Sequence, residues 1–408
     1  MAGPLAGIVV LDLSRILAGP WATQALADFG AEVIKIEHPR GGDDTRSWGP
    51  PYLRDATGRE TAESAYYLST NRGKKSVAID LARPEGQSLV RELAAQADVL
   101  VENFKVGGVA RYGLAYADLA PLNPRLVYLS ISAFGQDGPD AAEPGYDAMI
   151  QGMGGLMSLT GVPDGEPGAG PQKVGVAVAD LMCGMYAVSG ILAALHERHA
   201  SGRGQYIDLS LLDTQVAWLA NQNLNYLVSG TLPQRRGTAH PNIVPYQAFA
   251  TVDGHFMLAV GNDAQFARFC AAIGEPALAA DPRYATNSAR VENRGELVPL
   301  VERMLRTRTR GEWLAVLKAA QVPCGAINDL AQVFAEPQVR HRGLKVELPH
   351  PTAGWAPGVR NPVLFARTPI EYERAPPPLG ADTDEVLAGR LGLDAGALAG
   401  LRERGVVA

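Results

Sequence analysis

The chain has 408 residues, 47% of them hydrophobic and 20% charged, with 37 basic and 43 acidic side chains giving a net charge of −6. This balance supplies a large core for two or three domains. It lacks the concentrated basic surface that non-specific nucleic-acid binding needs. Cys183, Cys270 and Cys324 lie far apart with no C-x-x-C pair, which excludes a zinc ribbon or a dithiol redox motif. Few cysteines, and a start (MAGPLAGIVVLDLS) without a basic n-region or a long apolar h-region, point to a cytoplasmic protein.

In chain order, GIVVLDLS (7–14) is a short β-branched run that predicts a buried strand. AGPWATQALADFG (18–30) predicts a helix, with Pro20 in the first turn and Gly30 beyond its end. AEVIKIE (31–37) is a second strand, followed by a Gly- and Pro-rich polar stretch to about Lys75. KSVAIDL, DVLVENF and RLVYLSIS predict three more strands, with the helix-like PEGQSLVRELAAQA after the first of them. This alternation implies an α/β layer around a mainly parallel sheet. PDGEPGAGPQ (163–172) is a turn-rich loop, and a helix is expected from Asp180 to about His199, then the turn SGRG and the strand QYIDLSL. The apolar stretch from Leu181 to Leu195 falls short of the roughly 20 residues of a membrane span and reads as a core helix. From about Trp218 to Arg310 the pattern becomes a smaller second domain, after which VPCGAIND (322–329) is expected to rejoin the first sheet.

Several motifs are missing. No G-x-G-x-x-G follows the first strand, where SRILAGPWA stands instead, and there is no P-loop or G-x-S-x-G elbow. His196, Glu197 and His199 form H-E-R-H, one residue short of the zinc-protease spacing, and read as the polar end of a helix.

Three features could carry chemistry. Asp180 stands before a long apolar helix, where a carboxylate can be an N-cap or an ionised nucleophile beside N–H groups that stabilise an oxyanion; pattern alone leaves both readings open. Arg15, Arg40, Arg46, Arg72, Lys74, Lys75, Lys105 and Arg111 fall in or beside loops that gather at the carboxyl edge of such a sheet. They suit an anionic, phosphate-bearing ligand, although each taken singly reads more readily as a solvated surface charge. PRGGDDTR (39–46) could cradle an anion through its backbone N–H groups or serve as a flexible connection.

Taken in order, LDLSRILAGPWATQALADFGAEVIKIE, GDDTR, NRGKKSVAIDL, DVLVENF, PGYDA, VAVADLMCGMYAVSGILAAL, SGRGQYIDLSL, VPCGAIND and PPPLGADTDEVL resemble the family III CoA-transferases across nearly the whole chain. The resemblance implies a large Rossmann-like open-sheet α/β domain built from both chain ends, a smaller α+β domain, and an interlocked homodimer. The implied boundaries are 1–217 for the first part of the large domain, 218–320 for the small domain, and 321–408 for the return and tail. It implies transfer of coenzyme A between acids through an aspartyl anhydride and an aspartyl-CoA thioester. Acyl-CoA and a small carboxylic acid are then the partners, with no metal, prosthetic group, nucleic acid or membrane. The family's aspartate matches Asp180. Its CoA contacts match Arg15, Ile16, Ala18, Ile79, Asn103, Phe104, Arg111 and Tyr112, to which the cations Arg40 and Lys74 are added. Tyr146 matches a tyrosine of the active-site wall.

Formyl-CoA transferase carries a catalytic glutamine where Leu17 stands here, and a glycine-rich loop where TAHPNIVPY stands. GDDTRSWGPP, RRGTAHPNIVPYQAF and FAEPQVRHRG look instead like the succinyl-CoA–glutarate branch, which favours dicarboxylic acids. A second carboxylate buried in the site needs a cationic partner. Arg46 is the first candidate, with Arg72 and His240 in neighbouring motifs. The related α-methylacyl-CoA racemases carry a histidine where Tyr146 stands, and tyrosine is poorly matched to proton shuttling at neutral pH. A non-catalytic CoA-binding protein would have no use for Asp180 beside an anionic ligand.

Overall fold

The structure, a computed structural model, describes residues 3–408. Six short runs form a parallel sheet: β1 (Val9–Asp12), β2 (Glu32–Glu37), β3 (Lys74–Ala78), β4 (Val99–Glu102), β5 (Val127–Ser132) and β6 (Tyr206–Ser210). Their order is β3-β2-β1-β4-β5-β6. The order reverses between β1 and β4, so the loops leaving these two neighbours diverge and open a crevice at the carboxyl edge. All four residues of β4 are buried, as a strand covered on both faces requires.

Side chains alternate between two cores. On one face Leu11, Ile34, Val77 and Leu100 pack with Leu89, Val90 and Leu93 of helix Pro84–Ala94. Val386, Leu387, Leu398 and Leu401, from helices Thr383–Leu391 and Ala395–Glu403 near the C-terminus, join the same core. On the other face Val10, Val33, Val99 and Val127 pack under helices α1 (Ala18–Asp28) and Val178–Ser201. That second helix has 24 residues and a mean hydropathy of 1.7 in its most apolar window, enough to cross a membrane by length and composition. Here its Cys183, Ala187, Ile191 and Ala194 are core residues, and Arg198 pairs with Asp98 at 2.8 Å.

The large unit comprises the chain up to Leu156, Lys173–Thr231 and Arg340–Ala408. A second compact unit comprises Met157–Gln172 and Leu232–Val339. It has a three-stranded antiparallel sheet in which Tyr246–Ala250 pairs with His255–Ala259, and this strand pairs with Cys324–Ala326. Phe249, Phe256, Phe266, Phe269 and Trp313 fill its core. VPCGAIND therefore adds the third strand to this small sheet and does not rejoin the large one. Its Cys324, Gly325 and Ala326 find their partners in Leu258, Met257 and Phe256.

Candidate functional site

The site is built first on the loop after β1. Asp12 at the strand end is fully buried. Burial opposes its charge, but Lys74, Lys35 and hydrogen bonds from Ser14 and Thr23 outweigh that and hold its pKa at about 2. Lys35 Nζ donates to the Ser14 carbonyl at 2.8 Å and pairs with Asp43 at 2.9 Å. Asp43 Oδ1 in turn accepts from Thr45 N at 3.0 Å, from Thr45 Oγ1 at 2.7 Å and from Ile16 N at 3.3 Å. Arg15 is clamped through its backbone: its N–H donates to Asn103 Oδ1 at 2.9 Å, and Asn103 Nδ2 donates to its carbonyl at 2.7 Å. Between these anchors Ile16 adopts φ 73°, a left-handed conformation that is costly for a β-branched residue.

The second wall is the start of the long helix. After α2 (Asp147–Met153), helix α3 (Val178–Ser201) begins two residues before Asp180, which stands in its first turn. Its N-cap, Ala177, has no capping side chain. The cap comes from Asp147, whose Oδ1 accepts from Ala179 N at 2.8 Å. Another aspartate thus bonds the Ala179 N–H at the helix start, and among the described residues no hydrogen bond to the Asp180 carboxylate is found. Burial, then the nearby charge of Asp147, push the Asp180 pKa up to about 7. One turn on, a Cβ at Gly184 would lie 2.8 Å from the Ala18 carbonyl oxygen and 2.9 Å from Trp21 Cδ1, so a glycine is what lets α3 approach α1 this closely.

The two walls enclose a cleft of about 220 Å³. It is lined by Arg15–Ala18, by Asn103–Val106 after β4, by Ala141–Tyr146, and by Asp180. Seven expected residues thus converge: Arg15, Ile16, Ala18, Asn103, Phe104, Tyr146 and Asp180. Arg15 pairs with Asp44 at 3.1 Å and lies over the Phe104 ring at 5.7 Å. Phe104 meets Tyr112 edge-on at 6.2 Å, and Arg111 stacks on Tyr112 at 4.6 Å. Arg111, exposed, and Tyr112, half-buried, therefore form a cationic and aromatic shelf beside Phe104. Tyr146 is 64% exposed and open to a ligand.

Other expected contacts lie elsewhere. Lys74 is fully buried and donates to Asp12, the Pro20 carbonyl and Asn71 at 2.8–3.1 Å, and burial lowers its pKa to about 8. It cannot reach a ligand. Ile79 is 1% exposed and bridges Val407, so its side chain is core. Arg40 is exposed and does not line the cleft. Arg46 is buried: it forks onto Glu37 at 2.8 and 2.7 Å, donates to Tyr67 Oη at 2.6 Å and the Pro377 carbonyl at 3.0 Å, and stacks on Tyr67 at 3.8 Å. Arg72 is held by Asp28 at 2.8 and 2.6 Å and lines a separate cavity of about 280 Å³ with Tyr372 and Arg374. His240 lies in the second unit, stacked on Tyr246 at 5.2 Å, with its pKa lowered by burial and by Arg294.

Sequence reasoning missed Asp147 as the cap, although it lies in the PGYDA motif. It also missed Tyr66, whose phenol is pushed up to about 12 by burial, then by Asp180 and Asp147. It stands beside Tyr67 in the short helix Ala65–Leu68, and such a pair gives no pattern by which to find it. Among the described residues no group of three His, Cys, Asp or Glu side chains is placed to hold a metal ion.

The family described as CoA-transferase family III matches residues 5–383. A succinate–glutarate CoA-transferase of Agrobacterium fabrum is 52% identical over 385 residues, 94% of this chain and 95% of the relative. The succinyl-CoA:glutarate CoA-transferase of Homo sapiens is 43% identical, over 99% of this chain and 90% of its own. Among solved structures, a CAIB/BAIF family protein from Brucella suis superposes with a TM-score of 0.82 at 47% identity, covering 96% of this chain and 100% of that one.

Proposed function

The chain belongs to CoA-transferase family III, and from that membership we propose that it moves coenzyme A from succinyl-CoA to a dicarboxylic acid such as glutarate, with Asp180 as the covalent nucleophile. The observation that carries the assignment is the uncapped carboxylate of Asp180, facing a cleft whose other wall presents Arg15, Asn103 and Phe104. An Asp180 oxygen attacks the thioester carbonyl carbon; a C–O bond forms, the C–S bond breaks, and CoA leaves as thiolate, giving a mixed anhydride. The thiolate then attacks the aspartyl carbonyl and expels the donor acid as a free carboxylate, leaving an aspartyl-CoA thioester. The acceptor carboxylate reverses both steps. One thioester replaces another, so the exchange requires no outside energy source.

The dicarboxylate preference rests on the named relatives. Arg46 is occupied by Glu37, so the cations offered to anionic groups of the substrates are Arg15 and Lys105 in the cleft and Arg111 on its shelf. A racemase would need a proton-shuttling histidine where Tyr146 stands. We further propose a cytoplasmic homodimer. Helix Asn221–Ser229 supports it, since no residue of that helix is buried and its Leu224, Leu227 and Val228 are exposed.

The test is an exchange assay with succinyl-CoA and a panel of free acids, read by product mass. Glutarate should yield glutaryl-CoA, Asp180→Ala should abolish exchange, and hydroxylamine added during turnover should inactivate the wild type by trapping the activated carboxyl. Preference for monocarboxylates over matched dicarboxylates would defeat the substrate assignment, and turnover by Asp180→Ala would defeat the nucleophile.

A further inference from the structure

We propose that Asp147 and Gln151 act together as a positioning pair that holds the start of α3 through side-chain hydrogen bonds and so leaves the Asp180 carboxylate free for attack. This inference rests on the reading of Asp180 as the nucleophile.

The pair sits on one face of α2, four residues apart. Gln151 is fully buried, and each end of its amide is used. Its Nε2 donates to Asp147 Oδ2 at 2.7 Å and reaches the Val176 carbonyl at 3.4 Å. Its Oε1 accepts from Val174 N at 2.9 Å. Asp147 Oδ1 then accepts from Ala179 N at 2.8 Å. Two side chains thus tie down Val174, Val176 and Ala179, the segment that delivers Asp180, and no part of that task falls on Asp180 itself. An aspartate in the first turn of a helix commonly bonds the free N–H groups there, which would tie up the lone pairs the reaction requires.

The pair also sets the charge around the nucleophile. The one charge acting on Asp180 is that of Asp147, and Asp180 in turn raises the pKa values of the Tyr66 phenol and the Cys183 thiol. Arg15, Asp44, Lys105 and Glu143 line the same cleft. Burial and the Asp147 charge raise the Asp180 pKa, and a carboxylate of higher pKa is the stronger nucleophile once ionised. Position and charge are separable. Asp147→Asn removes the charge and keeps an oxygen for Ala179, whereas Gln151→Met removes the tether to Val174 and keeps the charge.

The experiment follows, in the full-length enzyme mixed with succinyl-CoA and quenched within one turnover, the mass of the peptide bearing Asp180 as it acquires CoA, across pH 4–9. In the wild type adduct formation should rise with pH, with its midpoint near 7. In Asp147→Asn the midpoint should fall by about one pH unit or more. In Gln151→Met the midpoint should stay, while the rate at the pH plateau falls about 10- to 100-fold and acyl-CoA affinity changes little. A wild-type midpoint below about 5, an unmoved midpoint in Asp147→Asn, or an undiminished rate in Gln151→Met would each overturn the pair's role. The wild-type profile decides even if a variant does not fold. If the wild-type peptide never acquires CoA, it is the nucleophile assignment that falls.

Discussion

Asp180 carries its carboxyl at a pKa of about 7, raised by burial and by Asp147. In the unfolded chain the same group would titrate near its ordinary value, about 4. The folded state therefore holds the proton more tightly, and stability is lost as pH rises from about 4 towards about 7. Asp180→Asn removes that penalty, so the variant should melt at a higher temperature than the wild type at pH 8, with the gain shrinking towards pH 4. A lower melting temperature at pH 8 would show that the carboxylate is a structural partner after all. Arg46 gives the opposite case. It is a buried cation whose partners are Glu37, Tyr67 and Pro377. Arg46→Met leaves the Glu37 charge buried without that partner and should cost roughly 3–5 kcal/mol in denaturant unfolding. Any loss of activity should then fall equally on monocarboxylates and dicarboxylates. A selective loss of dicarboxylate turnover would restore Arg46 as a substrate contact.

At the level of elements, the strands of the large sheet were readable from short β-branched apolar stretches such as IVVL and VLV, each bounded by turn or polar residues. The long helix was found but begins at Val178 rather than Asp180, since its cap is supplied from a different helix and leaves no local mark. The fate of Arg46 was hidden for the same reason, as its carbonyl acceptor at Pro377 lies 331 residues away. Lys74 looked like a loop cation, yet it opens β3, where the sheet draws its ammonium down onto Asp12. The loop after β1 yields its own prediction. Ile16 is held at φ 73° by the bond its N–H donates to Asp43 and by the flanking Arg15–Asn103 clamp. Ile16→Gly relieves the conformational cost but releases the loop entropically. The variant should be as stable as the wild type or more so, and should bind acyl-CoA more weakly, by an increase in KM with little change in kcat. A fall in stability of more than about 1 kcal/mol would show that side-chain packing of Ile16, not backbone geometry, dominates.

At the level of the whole molecule, the exposed apolar helix Asn221–Ser229 makes the proposed association testable at a single site. Leu227 is 72% exposed, so its replacement by aspartate should leave an isolated subunit folded but convert the dimer to monomer by light scattering. A dimer with unchanged affinity would place the interface elsewhere. The large unit is assembled from three separate stretches of chain, and the last of them closes its core: Val407 bridges Ile79, and Val406 and Val407 join the core under β3. During synthesis the six strands leave the ribosome well before Val386, Leu387, Leu398 and Leu401, which complete the cover that helix Pro84–Ala94 begins on one face. The second unit, by contrast, is complete once Val339 has emerged. The nascent sheet therefore waits with part of an apolar face uncovered until helices Thr383–Leu391 and Ala395–Glu403 have emerged, a window in which it is a natural client for chaperones. Premature truncation within the last two helices should consequently yield aggregated protein rather than a shortened enzyme.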